Sequence, residues 1–212
     1  MATAGLRERK KQRTRQLIAD TAARLFAEHG YEHVTVSDVA SVAEVSDQTV
    51  YNYFPTKERL VLDRDEQLRD HLTQLIQDRS PGVSPAAAIR QEALDFADGI
   101  RSIPADQSRG GLGYLAAISP TVRRLCLEMT DRLADAIAVV LAETTNGRTL
   151  PSAKVQGIAL AWVFQTITDE SGRRCLDGQQ PAQIADELRP IIEDIIDDLD
   201  GWLAVGSDQI QS

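Results

Sequence analysis

Aromatic residues make up only 5% of the 212 positions, and there are just two cysteines, Cys126 and Cys175. Two thiols 49 residues apart, with no CxxC pairing, are too few to staple a chain of this length, so a disulfide scaffold is excluded and a reducing compartment is the natural setting. Long hydrophobic runs are also missing. The longest, Ala136 to Ala142 and Ile158 to Phe164, hold seven residues each, against the ~20 that a membrane helix needs. The basic start is interrupted by Asp20, Arg24 and Glu28 and does not read as a signal peptide. A protein of the cytoplasm, with no membrane partner, is expected.

Cations are in deficit: the net charge is −9, which ordinarily argues against phosphate-rich partners. The distribution changes that reading. Residues 1–15 carry Arg7, Arg9, Lys10, Lys11, Arg13 and Arg15 against Glu8 alone, a local +5, which leaves −14 on the remainder. This is a basic arm on an acidic body.

Catalytic strings are absent too: no GxSxG, P-loop or HExxH occurs. Gly111-Leu-Gly-Tyr-Leu-Ala116 fits a relaxed dinucleotide fingerprint, but it follows Asp106-Gln-Ser-Arg-Gly110 rather than a hydrophobic strand, so it reads as an inter-helix loop. His29 and His33 have Gly30 between them and no third ligand nearby. The Asp194, Asp197 and Asp198 cluster reads as a solvated helix face. No enzyme, cofactor or metal site is expected.

What is present is helix-forming. Hydrophobic residues reach 42%, with Ala, Leu, Asp and Glu abundant, and the class is all-α. From about Arg7 to His29, residues Leu17, Ile18, Ala22, Leu25 and Phe26 recur at helical spacing and Gly30 supplies a stop. Thr35 with Asp38 forms a capping-box variant for a short helix to Ser41, and Ser46 caps another that ends before Pro55. Thr56 opens a longer helix running to Arg79, with Leu60, Leu68, Leu72, Leu75 and Ile76 inward. Ser80 to Pro85 is a loop, Ala86 to Ile100 a helix, Pro104 to Gly113 a second loop and Pro120 to Thr144 a long helix. Asn146 to Pro151 is a break, followed by helices over Ser152 to Asp169 and Pro181 to Leu203. The last has the most regular stripe: Ile184, Leu188, Ile191, Ile192, Ile195, Ile196, Leu199, Trp202 and Leu203. Packing within one subunit and a dimer bundle both satisfy it.

The segment Thr35 to Phe54 has the logic of a helix-turn-helix. Burying Val39, Ala40, Val45, Val50 and Phe54 against the first helix forces two short helices to cross and leaves Asp47, Gln48, Thr49, Tyr51, Asn52 and Tyr53 outside. Gln and Asn match adenine edges, Asp a cytosine amine, and Thr and Tyr hydroxyls reach phosphates. A plain three-helix core with a polar helix is the competing reading, and a helical adaptor acting only through protein contacts is the competing function.

One stretch is more specific. Ala22, Phe26, Gly30 and Tyr31, then Thr35-Val-Ser-Asp-Val-Ala40, Val45-Ser46, Val50-Tyr-Asn-Tyr-Phe54, and Lys57, Glu58 and Leu60 resemble the TetR/AcrR regulators over residues 12 to 62. The resemblance implies about nine helices: a three-helix DNA-binding domain with the basic arm over 1–57, and a ligand-binding and dimerisation domain over 58–212. It further implies a homodimeric repressor, released from a palindromic double-stranded operator by a small-molecule effector. Carried across, Thr35, Thr49, Tyr51, Tyr53 and Lys57 are phosphate contacts, and Ser37, Asp47, Gln48 and Asn52 are base readers. The last two helices become the dimer interface, through Val155, Ile158, Trp162, Ile191, Ile195, Leu199 and Trp202. His71, Phe96, Tyr114, Trp162, Phe164 and Gln165 are the residues expected at a ligand pocket, against the alternative that they are core. One departure stands out: Glu44 occupies the turn where these regulators usually have Gly, at a cost of roughly 1 kcal/mol if φ is positive there.

Overall fold

The computed structural model describes residues 2–62, 65–105, 107–145 and 149–208, with side chains placed between residues 9 and 203. Residues 146–148 of the expected Asn146 to Pro151 break therefore lie outside the described residues, while Leu150 and Pro151 already belong to the helix that follows. Among those described there are nine α-helices and no strand: α1 (Ala2–His29), α2 (Val36–Val42), α3 (Asp47–Tyr53), α4 (Asp65–Gln77), α5 (Pro85–Gly99), α6 (Leu112–Ile118), α7 (Pro120–Thr144), α8 (Leu150–Leu176) and α9 (Pro181–Asp208).

Local chemistry sets most boundaries. Gly30 at φ 83° ends α1, since a left-handed residue breaks the helix and costs glycine least. Ser84, Ser119 and Thr149 each accept from a backbone amide three residues on, and Pro stands just inside each following helix, where its missing N–H would have had no partner.

Two expectations are corrected. The long helix from Thr56 is replaced by a 3-10 turn over Glu58–Leu60 and a separate α4. Leu60 and Leu62 are both buried in the same core; two residues apart on an α-helix they would point to opposite sides, so the chain leaves the helical path to bury both. Thr56 is not a helix cap; its hydroxyl bonds the Glu58 carboxylate and holds its pKa below the usual range.

The Gly-rich stretch read as a loop contains α6, which packs on α8 at a backbone-to-backbone crossing. A Cβ on Gly172 would lie 2.1 Å from the Gly113 carbonyl oxygen, and one on Gly113 would lie 2.6 Å from the Thr168 carbonyl oxygen. Only two glycines permit that approach. The same contact lets α8 run through Gly172 to Leu176, beyond the expected end at Asp169.

α7 and α8 form an antiparallel central pair, with Arg123 beside Asp169, Thr130 beside Gln165 and Lys154 beside Asp135. α9 lies on α5 and α8, and α4 on α7. Two apolar cores result. The larger joins α4, α5, α7, α8 and α9. The smaller holds α1, α2 and α3 together with Leu60, Leu62, Leu115 and Ala116 of α6, and Val122, Leu125 and Cys126 of α7. The N-terminal helices thus share one core with the segment that crosses α8.

Candidate nucleic-acid interface and ligand cavity

Ile18, Ala22, Leu25 and Phe26 of α1 form the floor on which α2 and α3 cross, covered by Val39, Ala40, Val50 and Phe54, all buried, with Val45 half-buried in the turn. Both short helices begin at capped ends. Thr35 and Asp38 make a reciprocal capping box, in which the Thr35 amide donates to Asp38 at 2.7 Å; the Thr35 hydroxyl and amide hold the Asp38 pKa below its usual value. Ser46 accepts from the Thr49 amide at 3.1 Å and shares a 2.8 Å hydroxyl contact with it. A seven-residue helix is too short to persist alone, so these caps and the apolar floor are what fix α3.

In the turn, Glu44 has φ 55°, the sole positive φ among the described non-glycine residues. Its amide donates to the Ser41 carbonyl and the Val45 amide to that of Ala40, so the turn closes with glutamate in a glycine conformation.

Ser37, Asp47, Gln48, Tyr51 and Asn52 are exposed on one polar face, and Thr49 and Tyr53 are half-buried beside it. Its side chains pair with one another. Ser37 donates to Asp47, and Gln48 donates to Asn52 at 3.1 Å, one helical turn on. These groups are pre-positioned, and the bonds are exposed and replaceable by those of an incoming ligand.

Lys57 is placed differently from a freely extended cation. Its ammonium donates to the Tyr31 carbonyl, lies 4.1 Å from the Tyr31 ring centroid and 5.8 Å from that of Phe26, and burial holds its pKa below the ordinary lysine value. Arg15, grouped with the basic arm by sequence, donates to the Tyr53 carbonyl at 3.2 Å and covers the Phe54 ring at 4.7 Å. Neither contact has a sequence signal, because the partners lie 26 and 38 positions away. The arm itself continues α1 as helix from Ala2.

The second site is a cavity of about 410 Å³ between α5, α6, α8 and the start of α9. Phe96 and Tyr114 line it, and Phe164 supports Phe96 by an edge contact at 5.6 Å. His71 stays outside and reaches the rim only through Glu92, at 3.0 Å. Trp162 and Gln165 do not line it. Gln165 is buried between α7 and α8, accepting from Thr130 at 2.8 Å and donating to Asp169 at 2.9 Å, while Trp162 faces outward. Helical phase explains the split: Ile167, Thr168 and Ser171 hold the cavity side of α8 and leave 162 and 165 on other faces.

The outward side of α8 and α9 is apolar. Val155, Ile158 and Trp162 on one helix and Ile191 and Trp202 on the other are exposed, with Ile195 and Leu199 half-buried beside them.

A buried apolar floor, two capped short helices crossing on it and a polar outer face on the second define a helix-turn-helix unit, joined here to a helical body with a half-open cavity. Residues 18–63 match the profile of bacterial regulatory proteins of the tetR family, so the likeness to that family lies in this N-terminal unit. The chain is 34% identical over 85 residues to the HTH-type transcriptional regulator TcmR of Streptomyces glaucescens, covering 40% of this chain and 38% of that one. It is 28% identical over 115 residues to the HTH-type transcriptional regulator YuxN of Bacillus subtilis, covering 52% and 40%. The matches thus span about two fifths of these relatives. In fold it is similar to NalD, the secondary repressor of the MexAB-OprM multidrug efflux pump in Pseudomonas aeruginosa. The TM-score is 0.56 at 18% identity, over 86% of this chain and 96% of that one.

Proposed function

We propose that this chain is a transcriptional repressor of the cytoplasm that binds a palindromic operator as a homodimer and leaves it when a small molecule occupies the cavity. Residues 1–57 form the DNA-reading unit and 58–212 the effector and dimer unit. The observation that carries this reading is the exposed, internally paired face of α3, set on a buried core by capped ends. Ser37, Asp47, Gln48 and Asn52 are the base readers; Thr35, Thr49, Tyr51, Tyr53 and Lys57 contact phosphates. Lys57 keeps two ammonium protons beyond the one given to Tyr31, and its position over that ring holds it at a fixed height above the backbone. The apolar side of α8 and α9 is the dimer interface, with Val155, Ile158, Trp162, Ile191, Ile195, Leu199 and Trp202 burying against a second copy in a four-helix bundle. No described helix is long and apolar enough to cross a membrane.

Release requires that effector favour a subunit spacing that no longer fits successive major grooves ~34 Å apart, a coupling of typically 1–3 kcal/mol. The segment from Ser108 to Ala116 connects the two sites. Ser108 and Gly111 to Tyr114 line the cavity, Leu115 and Ala116 lie in the DNA-side core, and a Cβ on Gly110 would lie 2.9 Å from the Ala23 carbonyl oxygen of α1. α4 is held at its first residue, where Asp65, 7% exposed, pairs with Arg59 and with Arg132 of α7.

The test is a gel-shift titration of the full chain on DNA from its own genomic neighbourhood at several salt concentrations. A specific complex whose affinity falls steeply with salt supports the repressor. A chain that binds none of these fragments above competitor DNA at low salt is an adaptor instead.

A further inference from the structure

The cavity walls are uneven in charge and in hydrogen-bonding sense. Phe96, Ile100, Ile103, Leu112, Ile167 and Ile184 are apolar residues of its lining. Among the described residues the charged lining groups are Glu92 and Asp95, and no described Lys, Arg or His lines the cavity. Of the cations flanking it, His71 pairs with Glu92 from outside, Arg101 with Asp186 and Arg189 with Asp98, while Arg109, next to the lining Ser108, is exposed and is not itself a lining residue.

The lining hydroxyls point the same way. Ser108 donates to the Ala105 carbonyl at 2.8 Å, Thr168 to that of Phe164 at 3.0 Å, and Ser171 to that of Thr168 at 2.9 Å. With their protons committed to backbone carbonyls, these three hydroxyls have only lone pairs to offer a guest. Asp95 accepts a hydrogen bond from the Gln91 amide at 2.8 Å on one oxygen, and a carboxylate retains further acceptor sites. The donors left on the wall are the Tyr114 hydroxyl, the Cys175 thiol and the first amides of α6, all neutral. Among the described lining residues a guest meets many acceptors, two carboxylates and no cation.

We propose that the molecule this cavity takes is a lipophilic ammonium ion, with its apolar body between Ile100, Ile103, Leu112 and Ile167 and its N–H donors on the carboxylates of Asp95 and Glu92. Naming it the effector rests on the repressor reading; its binding does not. A primary or secondary alkylamine is protonated at neutral pH, as lysine is. Its charge-assisted bonds to carboxylate are about twice as strong as neutral ones, and the rings of Phe96 and Tyr114 offer further cation contacts. A carboxylate guest of the same shape would place a third negative charge beside two, on a body already carrying an excess of acid.

The experiment is calorimetric titration of the DNA-free full chain with three matched probes: 8-phenyloctylammonium, 8-phenyloctanol and 8-phenyloctanoate. The ammonium is expected to bind at least tenfold more tightly than the carboxylate, with the alcohol between them. Asp95→Asn and Glu92→Gln, both at the accessible rim, should each lower ammonium affinity at least threefold and leave the alcohol unchanged. Asp95→Lys should invert the order of the two ions. Carboxylate binding as tight as ammonium binding, or ammonium affinity indifferent to the paired Asp95→Asn and Glu92→Gln changes, overturns the proposal. Gel shifts on the same preparation separate the two readings: failure to bind DNA with ammonium selectivity intact sinks the repressor alone, and the reverse pattern sinks this inference alone.

Discussion

The guanidinium of Arg15 sits 4.7 Å from the centroid of the Phe54 ring and donates to the Tyr53 carbonyl at 3.2 Å. A cation of α1 thereby closes the C-terminal end of α3, where unpaired carbonyls and the negative end of the helix dipole favour positive charge. Arg15→Ala is expected to lower stability by about 1 kcal/mol in urea denaturation and to weaken DNA binding at every sequence, because the whole reading helix loosens. Arg15→Lys should restore part of the stability, since it keeps the charge without the planar fork. Full stability in the alanine variant would show the contact to be incidental.

Glu44 holds φ 55° between α2 and α3. Glycine adopts that conformation without the Cβ clash, so Glu44→Gly should raise stability by about 0.5–1 kcal/mol despite the greater freedom of its unfolded chain. Glu44→Val should lower it by more than 1 kcal/mol, because β-branching is worst tolerated at positive φ. Equilibrium unfolding of the wild type and the two variants checks the order Gly, Glu, Val.

Tyr31 is pushed up to about 12 by burial and by the carboxylates of Glu58 and Glu32. Its folded value exceeds the unfolded one of about 10, so the native state keeps a proton that the unfolded chain releases. The resulting stability is complete below pH 10 and is lost as pH rises towards 12. Lys57, whose pKa is lowered by burial, titrates in the opposite sense and moderates the loss. Tyr31→Phe should flatten the alkaline limb of a stability–pH curve measured by denaturant melts; an unchanged limb would assign it to other groups.

At the crossing of α6 and α8, Gly172→Ala places a methyl group 2.1 Å from the Gly113 carbonyl oxygen. Backbone must move, so a loss of about 2–3 kcal/mol is expected from overpacking, together with a change in the shape of the neighbouring cavity. Gly178→Ala is no neutral control, since φ is 83° there, whereas Gly99→Ala meets open space and should leave stability within about 0.5 kcal/mol or raise it. Thermal unfolding of the Gly172 and Gly99 variants distinguishes a packing requirement from a general intolerance of alanine.

On the DNA face, Gln48→Ala should alter which operator bases are preferred, and it also releases Asn52 from its 3.1 Å bond. Lys57→Ala should weaken all sequences alike and reduce the magnitude of the salt slope by about 1. Selection from a randomised operator library reads both. A wild-type preference profile from the Gln48 variant would remove that residue from the base readers.

Local sequence was decisive wherever one residue's own chemistry sets the geometry. Thr35 with Asp38 and Ser46 mark the starts of α2 and α3, Gly30 the end of α1, and Glu44 the turn that needs a positive φ; each of these reads from neighbours within four positions. The apolar spacing likewise identified Ile18, Ala22, Val39, Val50 and Phe54 as one core, because short helices leave few ways to bury them together. Composition and charge set the all-α class and the acidic body.

Tertiary structure alone decided what distant residues do to one another. Gly113 reads in sequence as the end of a loop and Gly172 falls beyond the expected end of its helix, yet facing each other they are the condition for two helices to touch, and both are helical. Leu60 and Leu62 broke an expected helix because one core, drawn from residues between Ile18 and Cys126, buries both. Lys57 and Arg15 carry the charge the sequence assigns them, but Tyr31 and Tyr53, far off in the chain, fix where that charge sits. The cavity is the extreme case: its walls come from four elements between Glu92 and Ile184, so no window of sequence contains it, and helical phase selected Phe96 and Tyr114 while turning Trp162 and Gln165 away. The α2–α3 pair, by contrast, was legible from residues 35 to 54, since its fold depends on caps and a period that any helix must obey.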